Sequence, residues 1–467
     1  MRLDGIAQGG GRRSSSSELT LDVIGLKVNG TAVSLLMKKT DTSRNSDNQQ
    51  HYDVLIVGGG MVGAAIACGL GQQRIRVAVF DHNEPPLPLP KDALPELRIS
   101  ALTTASEEIL RQLEAWQHMQ SMRMTPYRRM AVWEKLYSPY GKEIDSRANR
   151  VVFDAKQINH SQLGFIVENR VTQLGLLEAI KSYSSVSFFC PANIQKIHTS
   201  ERPPAIELTD GRRFTGNLLV GADGANSQVR QTAGLAKEQR DYEQQCLVAT
   251  VEIVGGCQDI TWQAFTPTGP EAFLPLPDIN GRSYGSIVWY NHPEKIRQLL
   301  TLSNKAFIEE LQTTFPAELP EVVRHHERRA FPIARCHVTK YFRPGVVLAG
   351  DAAHTINPLA GQGVNLGLQD AAWLIEILVD AYRADENLGS PAVLSQYEKA
   401  RRRDNALMMN TMDTFYHIFS SQNKPLQLLR NLGLTIAGKL SPAVKQVMKH
   451  AMGLSGKQPK LATGKKI

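Results

Sequence analysis

The sequence has no run of about 18 consecutive apolar residues, which excludes an ordinary membrane-spanning helix. Cysteine is scarce: Cys68, Cys190, Cys246, Cys257 and Cys336 are scattered, odd in number and never spaced CxxC. That argues against a disulfide framework or a zinc site and fits a reducing, cytoplasmic compartment. No HExxH, GxSxG or Ser/His/Asp arrangement occurs, so hydrolysis has no support and no metal is expected. Acidic residues are missing from 421–467, where nine Lys or Arg stand (Lys424, Arg430, Lys439, Lys445, Lys449, Lys457, Lys460, Lys465, Lys466). Taking these nine from the net charge of +8 leaves the other 420 residues near −1. A basic end on a near-neutral body suggests an anionic partner surface, either lipid headgroups or another protein. No nucleic-acid motif accompanies the charge, so nucleic acid is not an expected partner.

What is present is a globular composition, 42% hydrophobic and 21% charged, which rules out a collagen-like or largely disordered chain of 467 residues. Residues 1–50 read as a disordered extension: Gly9 to Ser17 is low in complexity and Lys38 to Gln50 is polar throughout. The extension has no continuous apolar segment of a secretory signal, and Met37-Lys38-Lys39 resembles a natural start. From Tyr52 the pattern changes. Val54 to Val57 is a short apolar, β-branched run, Ala64 to Leu70 a small-residue helix, and Arg76 to Phe80 a second strand. Together they make one βαβ unit. Strand-like runs also lead into Gly221 and Gly350, and further β-like stretches cover Ala264 to Leu276 and Ser286 to Tyr290. The expected division is a nucleotide-binding domain in three pieces (51–130, 206–240, 341–385) interleaved with a second sheet (131–205, 241–340). C-terminal helices (386–454) and a basic disordered tail (455–467) follow.

Three motifs carry chemistry. Gly58, Gly60 and Gly63, with Met61 and Val62 between the last two, form a GxGxxG between the first strand and its helix. The first glycine permits a tight turn, the second admits a pyrophosphate to the backbone, and the third lets helix and strand pack closely. The helix N-terminus then offers unpaired N–H groups and partial positive charge. Asp81, ending the second strand, is placed to accept bonds from a ribose. The second motif runs from Gly221 to Arg230. Its Asp223 either faces a cleft or caps a helix beginning near Ser227, and both readings stand. In the third, Asp351 ends a strand, the Pro/Gly loop Pro358 to Asn365 follows, and a helix is expected from about Gln362 towards Tyr382. Such a helix N-terminus would stabilise negative charge on a reduced flavin ring. His354 has no evident acid partner in sequence and reads as a packing residue.

These motifs in this order, separated by about 160 and 130 residues, resemble the FAD-dependent aromatic hydroxylases of the para-hydroxybenzoate hydroxylase type. Arg98-Ile99-Ser100-Ala101-Leu102, Gly221 to Arg230 and Gly350 to Gly367 resemble the ubiquinone-biosynthesis branch, the UbiH/UbiF/VisC group. Pro126 to Met130, Trp262 to Pro267 and Arg430 to Leu434 look most like its UbiF-type members. Asp81 departs from the Glu that many members carry. The resemblance implies an α/β fold with a Rossmann-type FAD-binding domain, an interleaved β-sheet substrate domain and a C-terminal helical region. It implies FAD as cofactor, and NAD(P)H and O2 as co-substrates. Hydroxylation through a flavin C4a-hydroperoxide of a polyprenylated benzoquinol is the implied reaction, with a sibling ring position or a non-catalytic scaffold as alternatives. By the same resemblance Gly58, Gly60, Gly63, Asp81 and Arg98 hold the ADP half of FAD, and Asp351 takes a ribityl hydroxyl. Asp223 serves FAD and the pyridine nucleotide. The loop of Gly361, Gly363, Val364 and Asn365 frames the isoalloxazine, with Pro358 over the ring. Other proteins of the pathway are candidate partners. The basic stretch Pro425 to Leu454 is either a packing helix or a peripheral contact to the inner membrane.

Overall fold

The computed structural model describes residues 27–28, 31–32, 49–137, 143–144, 149–357, 363–421, 423, 425, 427, 430–431, 452–453 and 456–467. Contacts divide the chain into two units, 1–48 and 49–467. Within the first, the described residues form a hairpin of β1 (Lys27–Val28) and β2 (Thr31–Ala32). Apart from Gln49 and Gln50, the remainder of the expected extension lies outside the described residues, as do Pro358, Gly361 and most of the stretch from Pro425 to Leu454.

The second unit opens with β3 (Gln49–Val57), α1 (Met61–Gln72) and β4 (Val77–Phe80), β3 starting just inside the expected extension. Val54, Leu55, Ile56 and all of β4 are fully buried, which is why both runs are continuously apolar instead of alternating. There follow β5 (Ile99–Thr103), α2 (Thr104–Gln112), α3 (Trp116–Met122), β6 (Thr125–Tyr127), β7 (Arg129–Glu134), β8 (Leu136–Tyr137), β9 (Glu143–Ile144) and β10 (Val151–Asp154). Next are β11 (Gly164–Glu168), α4 (Asn169–Ile180), β12 (Val186–Phe189), β13 (Ile194–His198), β14 (Ala205–Leu208), β15 (Arg213–Gly221) and α5 (Gln228–Thr232). The chain continues with β16 (Lys237–Ile253), β17 (Ile260–Thr266), β18 (Gly269–Ile279), β19 (Arg282–Asn291), α6 (Pro293–Thr301), α7 (Asn304–Thr314) and β20 (Val322–Val338). It closes with β21 (Phe342–Arg343), β22 (Val346–Leu348), β23 (His354–Thr355), α8 (Gly363–Arg383) and α9 (Pro391–Ser420).

Strands β12, β4, β3, β15 and β22 pair in parallel, and β14 and β13 extend the same sheet antiparallel. This corrects the expected boundary that gave 131–205 to the second sheet. Val186–Phe189 pairs residue for residue with Val77–Phe80, and an apolar strand does not announce which sheet will receive it. The second sheet runs β10-β7-β17-β18-β19-β16-β20-β23, antiparallel except between β7 and β17. The stretch expected over Ala264 to Leu276 is a hairpin and not one strand, turning before Gly269 at φ +118. One face of this sheet (Trp133, Trp262, Phe273, Ile287, Trp289) packs on Ile296 and Leu299 of α6 and Phe307 and Leu311 of α7. The other face presents Cys246, Phe265, Tyr290 and Ile333 to Phe419 of α9.

The expected disordered tail is also corrected. Residues 456–467 dock on the first domain: a 3-10 turn at Lys460–Thr463 buries Leu461 and Ala462, and Ile467 packs on the same core. The Lys460 N–H donates to Glu376 Oε2 at 2.7 Å, and its ammonium lies 3.8 Å from both Glu376 and Asp380. Lys457 sits over the Trp373 ring at 5.3 Å. Acids and an aromatic on α8 thus complement part of the basic charge.

Candidate functional site

The three motifs meet at the carboxyl ends of three neighbouring parallel strands. The Ala222 N–H donates to Val57 O at 2.8 Å and the Ala349 N–H to Gly221 O at 3.0 Å. The turns after β3, β15 and β22 therefore share one edge of the sheet, the edge at which open α/β sheets bind ligands.

The glycines of the first turn differ in their reasons. Gly58 adopts φ +104, and a Cβ there would lie 2.3 Å from Ala222 O. A Cβ on Gly63 would lie 1.9 Å from Gly58 O. At Gly60 a Cβ would meet nothing within 4 Å. The protein itself does not need Gly60 bare, so the space ahead of it is left for something else. Gly60 is also the N-cap of α1, with no side-chain cap and no acid in the first turn. Uncapped N–H groups facing open space suit a pyrophosphate, and the residues present fit a dinucleotide cofactor. Met61 is half-buried on the main core. Val62 meets the third motif, because Cβ atoms on Gly350 and Gly367 would approach its Cγ2 to 3.0 and 2.7 Å.

The predicted carboxylates are held in different ways. Asp81 Oδ2 accepts from Gly59 N–H at 2.7 Å and Oδ1 from Asn83 N–H at 2.9 Å, so the acid shapes the glycine turn. Asp223 accepts from Ser227 Oγ at 2.5 Å and from Gln228 and Val229 N–H at 2.7 and 3.1 Å, capping α5. Of the two sequence readings, the capping one describes these bonds. Asp351 lies in a 3-10 turn at Gly350–Ala352. Its side chain is exposed yet crowded by protein atoms, which raise its carboxyl above the usual range against the pull of His354 and Arg98. Arg98, which also lies 5.9 Å from the Phe331 ring, is thereby placed beside the third motif. Gly363 opens α8 and Val364 packs on the main core. Asn365 is buried; its Oδ1 accepts from Thr103 N–H (3.0 Å) and Ser106 Oγ (2.7 Å), and its Nδ2 donates to Ala101 O (2.8 Å). The first turn of α8 is tied in this way to the segment that begins at Arg98.

One expectation is corrected: His354 does have an acid partner, Asp370 of α8, at 2.5 Å from Nε2, and both are buried. Sequence reasoning also missed Arg230. Buried at the end of the second motif, it donates to Ala225 O at 2.8 Å and to Ala352 O, in the third, at 3.0 Å. Gln173 of α4, which donates to Gly59 O at 3.0 Å, was missed as well. Neither carries a local signal, since the bonds to Ala352 and to Gly59 each span more than a hundred residues.

A parallel sheet with a glycine cradle at its edge, a third motif locked to the first and a separate antiparallel sheet define a dinucleotide-binding α/β protein with a second, interleaved sheet. A family model described as "FAD binding domain" matches residues 51–411. The solved p-nitrophenol 4-monooxygenase PnpA from Pseudomonas putida DLL-E4 shares the fold with TM-score 0.70 at 18% identity, covering 88% of this chain and all of that one. The flavin-dependent monooxygenase PieE, solved with FAD and substrate, follows at TM-score 0.62 and 16% identity, over 86% and 72% of the two chains. Among curated proteins, 3-demethoxyubiquinol 3-hydroxylase of Escherichia coli K12 is 41% identical over 87% of this chain and 99% of its own length. Ubiquinone biosynthesis monooxygenase COQ6 of Xenopus tropicalis is 33% identical over 90% and 98%. The chain belongs to the UbiH/UbiF/COQ6 family of FAD-dependent monooxygenases of ubiquinone biosynthesis. It is an aromatic-ring hydroxylase whose chemistry uses FAD, NAD(P)H and O2.

Proposed function

We propose that this hydroxylase acts on demethoxyubiquinol, 2-polyprenyl-3-methyl-6-methoxy-1,4-benzoquinol, at the ring carbon that still bears hydrogen. The observation that carries the reading is the 41% identity, over 99% of its length, to the enzyme named for that reaction. Gly58, Gly60, Gly63 and the α1 N-terminus would hold the pyrophosphate, Asp81 the adenosine ribose, Arg98 the linker and Asp351 the ribityl chain. Gly361, Gly363, Val364 and Asn365 would border the flavin ring, with Pro358 over it. Asp223 would act through the turn it caps, at the edge where cofactor and nicotinamide meet. Bound FAD supplies the oxygen-activating chemistry, and the protein orients and excludes water. The quinol's own hydroxyls activate its ring, so no protein nucleophile is required.

The face of the second sheet that packs on α9 lies beside the third motif. Asn357, which precedes Pro358, is buried and its Oδ1 accepts from Tyr290 Oη at 3.3 Å. Burial pushes the Tyr290 phenol well above its usual range and keeps it a neutral donor. Phe265, Phe419, Met412 and Tyr416 cluster with Tyr290, so the neighbourhood of Asn357 is aromatic and apolar, the chemistry a prenylated ring would require next to the third motif. No helix among the described residues is long and apolar enough to cross a membrane. A lipid substrate would be met at a membrane surface, for which the basic stretch Pro425 to Leu454 is the candidate. Replacing Lys439, Lys445 and Lys449 with Gln, which leaves Arg430 and the docked C-terminus in place, should abolish co-sedimentation with anionic vesicles, and unchanged sedimentation would refute the contact.

The test of the substrate is quinone analysis of a host lacking this gene. Demethoxyubiquinone should accumulate and disappear when the intact chain is restored. Accumulation of a less-substituted prenylphenol would instead assign the chain to a sibling step of ubiquinone biosynthesis.

A further inference from the structure

The His354–Asp370 pair belongs to a buried cluster that the assigned chemistry does not use. Asp370 lies on α8, seven residues beyond Gly363, with no solvent exposure. Its Oδ2 receives the Gly350 N–H at 3.0 Å and His354 Nε2 at 2.5 Å. Its Oδ1 receives Arg401 Nε at 2.7 Å and Asn405 Nδ2 at 3.0 Å, both from α9. Arg401 is itself held, donating to Asn405 Oδ1 at 2.6 Å. Asn405 donates to Tyr341 Oη at 3.0 Å, and that hydroxyl lies 3.0 Å from His337 Nε2.

The arrangement is specific to one turn. Gly350 and His354 are its two ends, and Asp351 is carried between them. A single carboxylate oxygen thus ties both ends, while Arg230 holds its middle at Ala352 O. Gly350 sits at φ +61, a backbone state favoured by glycine, so the turn is fixed by its partners and not by local preference alone. Core stability does not account for such a cluster, because a buried ion pair is often no better than a well-packed apolar one. An acid that keeps a ligand-facing turn in one shape before the ligand arrives does account for it.

We propose that Asp370 is a positioning residue for FAD: it clamps Gly350 and His354, with Arg401 balancing its charge, so that Asp351 meets the cofactor from a preset backbone. The clamp rests on bonds and burial. Burial alone would raise the Asp370 carboxyl, but His354 and Arg401 hold it well below the usual carboxylate range, so it remains an acceptor for all four donors.

The test uses the full chain stripped of flavin and titrated with FAD by fluorescence quenching, beside the melting temperature of each apoprotein. His354→Leu removes one donor and should weaken FAD binding about tenfold or more, the loss expected for one hydrogen bond to a charged group. His354→Gln restores an N–H donor and should recover affinity to within about threefold of the parent. His354→Leu, which deprives a buried carboxylate of a donor, should melt somewhat below His354→Gln, and the visible circular dichroism of bound flavin should differ in His354→Leu alone. Asp370→Asn should weaken binding as well; if it fails to fold, the His354 pair decides. Equal FAD affinity for His354→Leu and the parent would overturn the proposal. So would equal losses in the leucine and glutamine variants, or a loss matched by lower apoprotein stability with unchanged flavin dichroism.

Discussion

Gly60 and Gly63 belong to one motif and lack side chains for opposite reasons. Open space surrounds the Cβ position of Gly60, so Gly60→Val should fold with nearly the parent melting temperature. Its side chain would occupy the space left for pyrophosphate, and FAD affinity should fall by about tenfold or more in an equilibrium titration. Gly63→Ala should do the reverse, because its methyl would collide with Gly58 O, a backbone atom with no room to move. A loss of about 2–3 kcal/mol in apoprotein stability, read from urea unfolding, is expected. The glycine spacing was legible in the sequence, but which glycine serves the fold and which the ligand was not. Gly63 is bare because of the Gly58 carbonyl, and Gly58 because of Ala222, which stands more than 150 residues away. His354 shows the same limit. Its acid lies sixteen residues onward in sequence, and only the return of α8 across the turn brings them together.

Among elements, the join between β7 and the chain after α9 is the sharpest case. Glu134 and Arg430 form a buried bidentate pair, and Arg430 also donates to Ile418 O and Ser421 O at 2.7 and 2.8 Å. Arg430→Ala would leave the Glu134 carboxylate in the interior without a counter-charge, held among the described residues only by Gln427 and Asn431, at a cost of about 3–5 kcal/mol, measurable by guanidinium unfolding. Replacing both partners with apolar residues should cost less than replacing Arg430 alone. Individual strands and α8 were readable from apolar runs and breakers, and the expected helix from Gln362 is found at Gly363–Arg383. The membership of β12 in the first sheet was not readable. It rests on hydrogen bonds to β4, about 110 residues earlier, for which a strand pattern contains no address.

At the scale of the whole molecule, composition misjudged the C-terminal tail because it counted charge without knowing what that charge faces. Deleting 456–467 should lower stability, since Leu461 and Ile467 leave the main core; an unchanged thermal scan would contradict the docking. Acid should also weaken the fold. Burial first, with nearby positive groups second, depresses His325 and His337 from 6.5 to about 4. The unfolded chain binds these protons near pH 6.5 and the folded chain only near pH 4, so unfolding takes up protons between those values. Stability should be full above pH 6.5 and fall as pH drops towards 4, and His325→Gln/His337→Gln should flatten that slope in calorimetry. Asp370 has the same sign at lower pH: its contribution is present above the ordinary carboxylate range and disappears on strong acidification. The most direct measurement of the central claim is the flavin content of the purified chain beside that of Gly60→Val. One FAD bound per folded parent chain, with little in an equally folded variant, is the predicted result. A colourless parent that takes up no FAD when offered it would contradict the account.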